Sequence, residues 1–152
     1  MTRGGPVVTA LAVWLTSAGC GFGDDGSETV SQEEYARQAD AICLDTQIAI
    51  EGLPKPLTFA DLGPYARRYA PLLEKQVTRL RELQLPEGRE QPARRLLDEY
   101  ESTAETWHAI AGATKARDQR RLRELLADSQ ERTLAIRELA QQLDLQVCEP
   151  QT

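Results

Sequence analysis

Three cysteines, a single histidine and a run of arginines are the residues of this chain whose chemistry reaches beyond packing. Cys20, Cys43 and Cys148 are the only thiols in 152 residues. A thiol can pair, ligate a metal or be modified, and the compartment decides which. The residues before Cys20 point to the compartment. Arg3 is followed by an apolar stretch from Pro6 to Ala18, and Ser17-Ala18-Gly19 are small. About 13 apolar residues fall short of the roughly 20 that cross a bilayer, so residues 1–19 read as a secretory signal and not as a membrane helix.

A cysteine directly after such a signal is where bacterial lipoproteins carry a diacylglycerol. That reading makes Cys20 the lipid attachment point, at the start of a tether over residues 20–30. The usual leucine three positions before the cysteine is replaced by Ser17, with Leu15 two residues early. Free secretion with an unpaired Cys20 is the second reading. Counting thiols bears on both, since an odd number in an exported chain leaves one to account for. With Cys20 acylated, Cys43 and Cys148 are free to pair or to stay as buried thiols. Pairing would close a loop of about 105 residues, worth about 4–5 kcal/mol by chain entropy.

His108 completes Glu105-Thr-Trp-His108, the Glu-x-x-His spacing of di-iron bundles, which need two such motifs and further carboxylates. A second histidine does not exist in this chain. A half-exposed histidine is therefore expected, with no metal or other cofactor. A metal shared across a symmetric dimer is the alternative. Hydrolysis through a serine or cysteine needs a positioned base, and no motif supplies one. No pair of carboxylates stands out for glycoside cleavage. These observations together predict a non-enzymatic protein.

Arg117, Arg120, Arg121 and Arg123 form the sharpest charge feature. Arg120 and Arg121 fall in the first turn of a predicted helix, where positive charge is mildly unfavourable. Either they bind an envelope protein or anionic polymer, or they sit on a solvated turn. Tyr65-Ala-Arg67-Arg68-Tyr69 suggests a carbohydrate or phosphate site. Tyr69 falls on a predicted buried stripe, however, so a core tyrosine beside solvated arginines is the plainer reading.

These residues must be positioned by helices. Removing residues 1–19 takes away Arg3 and no acidic residue, moving the net charge from −6 to −7. That balance argues against nucleic-acid binding and against adhesion to anionic headgroups. Gly21 to Thr29 is glycine- and aspartate-rich, as a solvated tether would be. From Ser31 onward the apolar spacing is helical. A capping box at Ser31/Glu34 opens a first helix with Tyr35, Ala39, Ile42, Ala49 and Leu53 on its buried face. Thr58/Asp61 opens a second, with a break expected at Gly63-Pro64 and a kink at Pro71. The third carries a seam of Ala93, Leu97, Tyr100, Ala104, Trp107, Ala111 and Thr114. The fourth follows Asp118, with Leu122, Leu126, Ser129, Thr133, Ile136, Ala140 and Leu143. Short connections imply an all-α, antiparallel, up-down-up-down four-helix bundle over residues 31–152. Cys43 lies twelve residues into the first helix. To meet it, the tail must fold back or the first helix must overhang; a fold-back is expected.

The segment Glu34-Tyr35-Ala-Arg-Gln-Ala39-Asp40-Ala41-Ile42-Cys43, with a closing Cys148, resembles small uncharacterised lipoproteins and secreted proteins of actinobacteria. In those an "ADAIC"-like segment follows a short tether and a second cysteine lies near the C-terminus. The resemblance covers most of the chain after the signal and is specific only around the two cysteines. It implies a Cys43–Cys148 disulfide and an envelope location, and brings no activity with it.

The sequence therefore predicts a lipid-anchored protein on the extracytoplasmic face of a cell membrane, most simply a module that binds a protein or envelope component. The competing expectation is a small-ligand or metal carrier using the bundle interior near Tyr100 and Trp107. That version predicts an apolar cavity of several hundred cubic ångströms, on the scale of ordinary ligand sites.

Overall fold

The computed structural model describes residues 30–148; the signal predicted over residues 1–19, most of the predicted tether and Cys20 lie outside the described residues. Four helices account for most of the described chain: α1 Gln32–Glu51, α2 Phe59–Arg81, α3 Glu90–Ala116 and α4 Gln119–Gln142. Among the described residues there is no strand, only an isolated bridge between Val30 and Pro86. None of these helices is long and apolar enough to cross a membrane.

The helix starts follow from side-chain chemistry. The Ser31 hydroxyl accepts from the Glu34 backbone N–H at 3.2 Å. Only this half of the expected box forms, because the Glu34 carboxylate is taken by Arg37 and Gln38. At α2 the Asp61 carboxylate accepts from both the backbone N–H and the hydroxyl of Thr58, at 2.9 and 2.7 Å. Asp118 accepts from the Arg121 N–H at 2.9 Å and opens α4.

The break expected at Gly63-Pro64 does not occur: α2 runs unbroken through Pro64 and Pro71. Each proline removes one helical donor. Both prolines are exposed, as are Ala60 and Arg67, whose carbonyls lose that donor. Water can take those carbonyls, so neither loss ends the helix. Gly63 is instead a packing residue. It is buried, and a Cβ there would sit 3.1 Å from the Thr114 Cγ2.

Neighbouring helices meet through named pairs. Helix α2 meets α3 where Gly63 lies by Thr114, where Glu74 meets His108 and where Arg81 meets Glu101. Helix α3 meets α4 where Thr106 meets Asp128 and where Glu99 meets Arg132. The main core gathers Tyr35, Leu73, Leu80, Leu96, Tyr100 and Ile136 with their neighbours. A smaller one holds Ala66, Ile110, Ala111, Leu122 and Leu125, and Trp107 packs against both.

Helix α1 departs from the expected packing. Among the helices it packs on α2 alone. Its first half buries Tyr35, Ala39 and Ile42. In its second half, Ala49 is exposed and Leu53 only half-buried, although both belong to the predicted stripe. Ile48 is 59% exposed. Cys43 and Thr46 are the buried residues there instead. The helical period continues through a stretch against which, among the helices, only α2 packs.

The tail closes the opposite end. Asp144 takes a left-handed conformation, φ 54°, and turns the chain back so that Leu145 and Cys148 are buried. The backbone N–H groups of Gln146, Val147 and Cys148 donate to the Asp40 carboxylate at 2.9, 2.8 and 3.3 Å. Cys148 then bonds Cys43, with S–S 2.01 Å and Cα atoms 5.1 Å apart. At the same end, the Val30 N–H donates to Leu85 O and Val30 O accepts from Glu87.

Candidate functional site: an interior cleft

Because α1 is joined to α4 only where the tail closes the bundle, its far half stands off and leaves a cleft of about 430 Å³. Its lining comes from all four helices and the tail, including Thr46 and Gln47 of α1, Tyr65 and Tyr69 of α2, Trp107 of α3 and Thr133 of α4.

One wall is aromatic. Tyr65 and Tyr69 lie one helical turn apart, so they share a face of α2. Trp107 of α3 packs against both, with ring centroids 5.8 Å from Tyr65 and 4.5 Å from Tyr69. All three rings are half-buried. Burial pushes the Tyr69 phenol up to about 12, which makes it a neutral hydrogen-bonding group at physiological pH and not a base.

The floor is the disulfide with Leu73, Ile136, Gln76 and Tyr100. The Tyr100 hydroxyl donates to Cys148 O at 2.5 Å, fixing the end of the tail. Burial raises its pKa far above the ordinary phenol value. The Gln76 amide is buried and donates to the Cys43 Sγ at 3.5 Å.

The facing wall is polar. Thr46 donates its hydroxyl to Ile42 O at 3.2 Å, and Thr133 donates to Ser129 O at 2.9 Å. With their hydrogens committed to the backbone, both oxygens keep only acceptor capacity for the cleft. Gln47 and Ser129 add an amide and a hydroxyl. Glu51 and Lys55, of opposite sign, are the only charged side chains in the lining. The cavity has the size expected of a carrier, but its walls are mixed and not simply apolar. Serine and threonine substitute for aliphatic residues where α4 faces α1.

The remaining sequence candidates lie elsewhere. His108 is exposed, and its Nε2 lies 2.8 Å from Glu74 Oε1 on α2. Glu105 is exposed as well. No group of three or more His, Cys, Asp and Glu side chains converges among the described residues. Arg117, Arg120, Arg121 and Arg123 are all exposed. Arg120 and Arg121 pair with Glu124 at 3.9 and 3.4 Å. Arg117 adopts φ 57° and serves as the left-handed cap of α3, a backbone duty that its side-chain chemistry did not suggest. Arg67 and Arg68 face solvent, while Tyr65 and Tyr69 turn to the cleft. Sequence reasoning missed Asp40, whose only signal was its place three residues before Cys43, and Gln76, a polar residue next to Val77. The four-residue spacing of Tyr65 and Tyr69 was visible, but nothing in the sequence showed which face stays uncovered.

No family model matches this chain, and neither does any curated protein or solved structure.

Proposed function

We propose that this chain is an exported, lipid-tethered binding protein without catalytic activity, and that its interior cleft holds a small ligand. The cleft of about 430 Å³ carries the reading: it falls within the roughly 300–1,000 Å³ of ordinary ligand sites, and it joins aromatic rings to a few polar groups as such sites do. The Arg117–Arg123 corner supports a second role, contact with an anionic envelope polymer or protein, because its side chains stand in solvent at the helix start. The finer architecture we propose is an up-down-up-down bundle with α2 bent at Pro71. The Gly63–Thr114, Arg81–Glu101 and Glu99–Arg132 contacts support the alternation.

The tether rests on the sequence before Cys20 and on the likeness to actinobacterial lipoproteins. Intact-mass measurement of the protein from membranes tests it: acylation adds a diacylglycerol and more to Cys20, whereas ordinary cleavage adds nothing. For the cleft, Trp107 is the reporter, since Trp14 is the only other tryptophan. In the full chain carrying Trp14→Phe, the uncharged dye N-phenylnaphthylamine should accept energy from Trp107 in a saturable, one-to-one titration. Ser129→Phe, which fills the cleft from α4, should abolish it. Equal binding by that variant, with an unchanged circular dichroism spectrum, would place the dye elsewhere and end the cleft reading.

A further inference from the structure

We infer that the cleft is selective for an uncharged ring compound that brings hydrogen-bond donors on its edge, the chemistry shared by neutral sugars and N–H heterocycles; this rests on the cleft being the ligand site.

Three observations carry the assignment. The first is the distribution of charge. The chain holds 18 basic and 24 acidic residues, yet Glu51 and Lys55 alone reach the cleft lining, and their signs cancel. Both are exposed, and the buried and half-buried remainder of the lining carries no charge, so a charged ligand held against the aromatic wall would lose hydration with no opposite charge beside it, which is strongly unfavourable. The second is the aromatic wall. Trp107 with Tyr65 and Tyr69 presents ring surface to the cleft, and such surface packs against the flat apolar face of another ring. The third is the polarity of the facing wall. Thr46 and Thr133 have spent their hydroxyl hydrogens on Ile42 O and Ser129 O. Their oxygens can only accept, so a ligand meets these two with hydroxyl or N–H groups at the edge of its ring, while the Gln47 amide and the Ser129 hydroxyl can donate as well as accept. A purely hydrocarbon ligand would leave these acceptors buried and unmet.

Calorimetric titration of the full chain with two matched pairs of probes tests this. Chitotriose is an uncharged sugar trimer, and its de-N-acetylated form is cationic. Uracil is an uncharged N–H heterocycle, and orotate adds a carboxylate. At least one neutral member should bind at one-to-one stoichiometry, and at least tenfold more tightly than its charged partner. Which pair responds separates a sugar from a heterocycle. Thr133→Val keeps the volume and removes the acceptor. It should weaken that neutral probe by about twofold to tenfold, the range of one net hydrogen bond. The inference fails if the dye enters the cleft while neither neutral probe binds, or if a charged probe binds as well as its neutral partner. Failure of the dye and all four probes alike would overturn both this inference and the cleft reading beneath it.

Discussion

Asp40 shows how a single side chain can organise a distant part of the chain. Its carboxylate gathers three successive backbone N–H groups of the tail, and a hydrogen bond to a charged group contributes about 1.5–3 kcal/mol. Asp40→Ala should therefore lower stability by roughly 2–3 kcal/mol in urea unfolding. Asp40→Asn, keeping an acceptor without the charge, should fall between. An Asp40→Ala protein as stable as the parent would remove the carboxylate from its role. Tyr35 gives a second residue-scale expectation. It is 1% exposed, and burial lifts its pKa to about 12 from an ordinary 10. Burial of the neutral phenol thus supports the fold fully below pH 10. Above pH 10 the unfolded chain ionises first, so that support is lost as pH rises toward 12. Its hydroxyl is buried without a hydrogen-bond partner among the described residues, so Tyr35→Phe sacrifices little at neutral pH. Thermal melts between pH 9 and about 11.5 should show a smaller alkaline loss in Tyr35→Phe; identical slopes would contradict this. Sequence made the cysteines and Tyr35 legible because their types restrict their surroundings. It could not show Asp40, since an acidic residue on a helix is ordinarily just solvated.

Among the elements, α2 is the informative case. Gly63-Pro64 reads as a break and Pro71 as a kink, because local rules treat such residues as interruptions. Local rules were outweighed: the prolines lie on the wet side and the glycine is where α3 comes close. Gly63→Val should cost about 1–3 kcal/mol through overpacking against Thr114. Thr114→Ser, which removes the Cγ2 in question, should recover part of that in a double-mutant cycle. Full additivity of the two changes would show that the contact does not matter. Helix α3 was legible almost throughout, because it packs on both α2 and α4; in α4 the stripe is interrupted by Ser129 and Thr133, which are half-buried and line the cleft. The end of α1 was not legible. Periodicity reports which face could be buried, and only the whole arrangement decides whether anything covers it. Ala49 is exposed for that reason, and so the cleft and its aromatic wall could not be placed from sequence.

For the molecule as a whole, the covalent link between Cys43 and Cys148 divides the chain unequally. The bond spans 105 positions, and these contain α2, α3 and α4 entirely. Once the Val30 hydrogen bonds to Leu85 and Glu87 give way, a force drawn between residue 30 and residue 148 runs along the start of α1, crosses the sulfurs and leaves, so the backbone of three helices carries no load. In single-molecule extension with those handles, the oxidised protein should lengthen by no more than the contour of residues 30–43, about 45 Å at roughly 3.5 Å per residue. After reduction the same pull should unravel the whole domain in far larger steps. Tension applied between those two points would then strip the first turns of one helix and leave the remaining three folded.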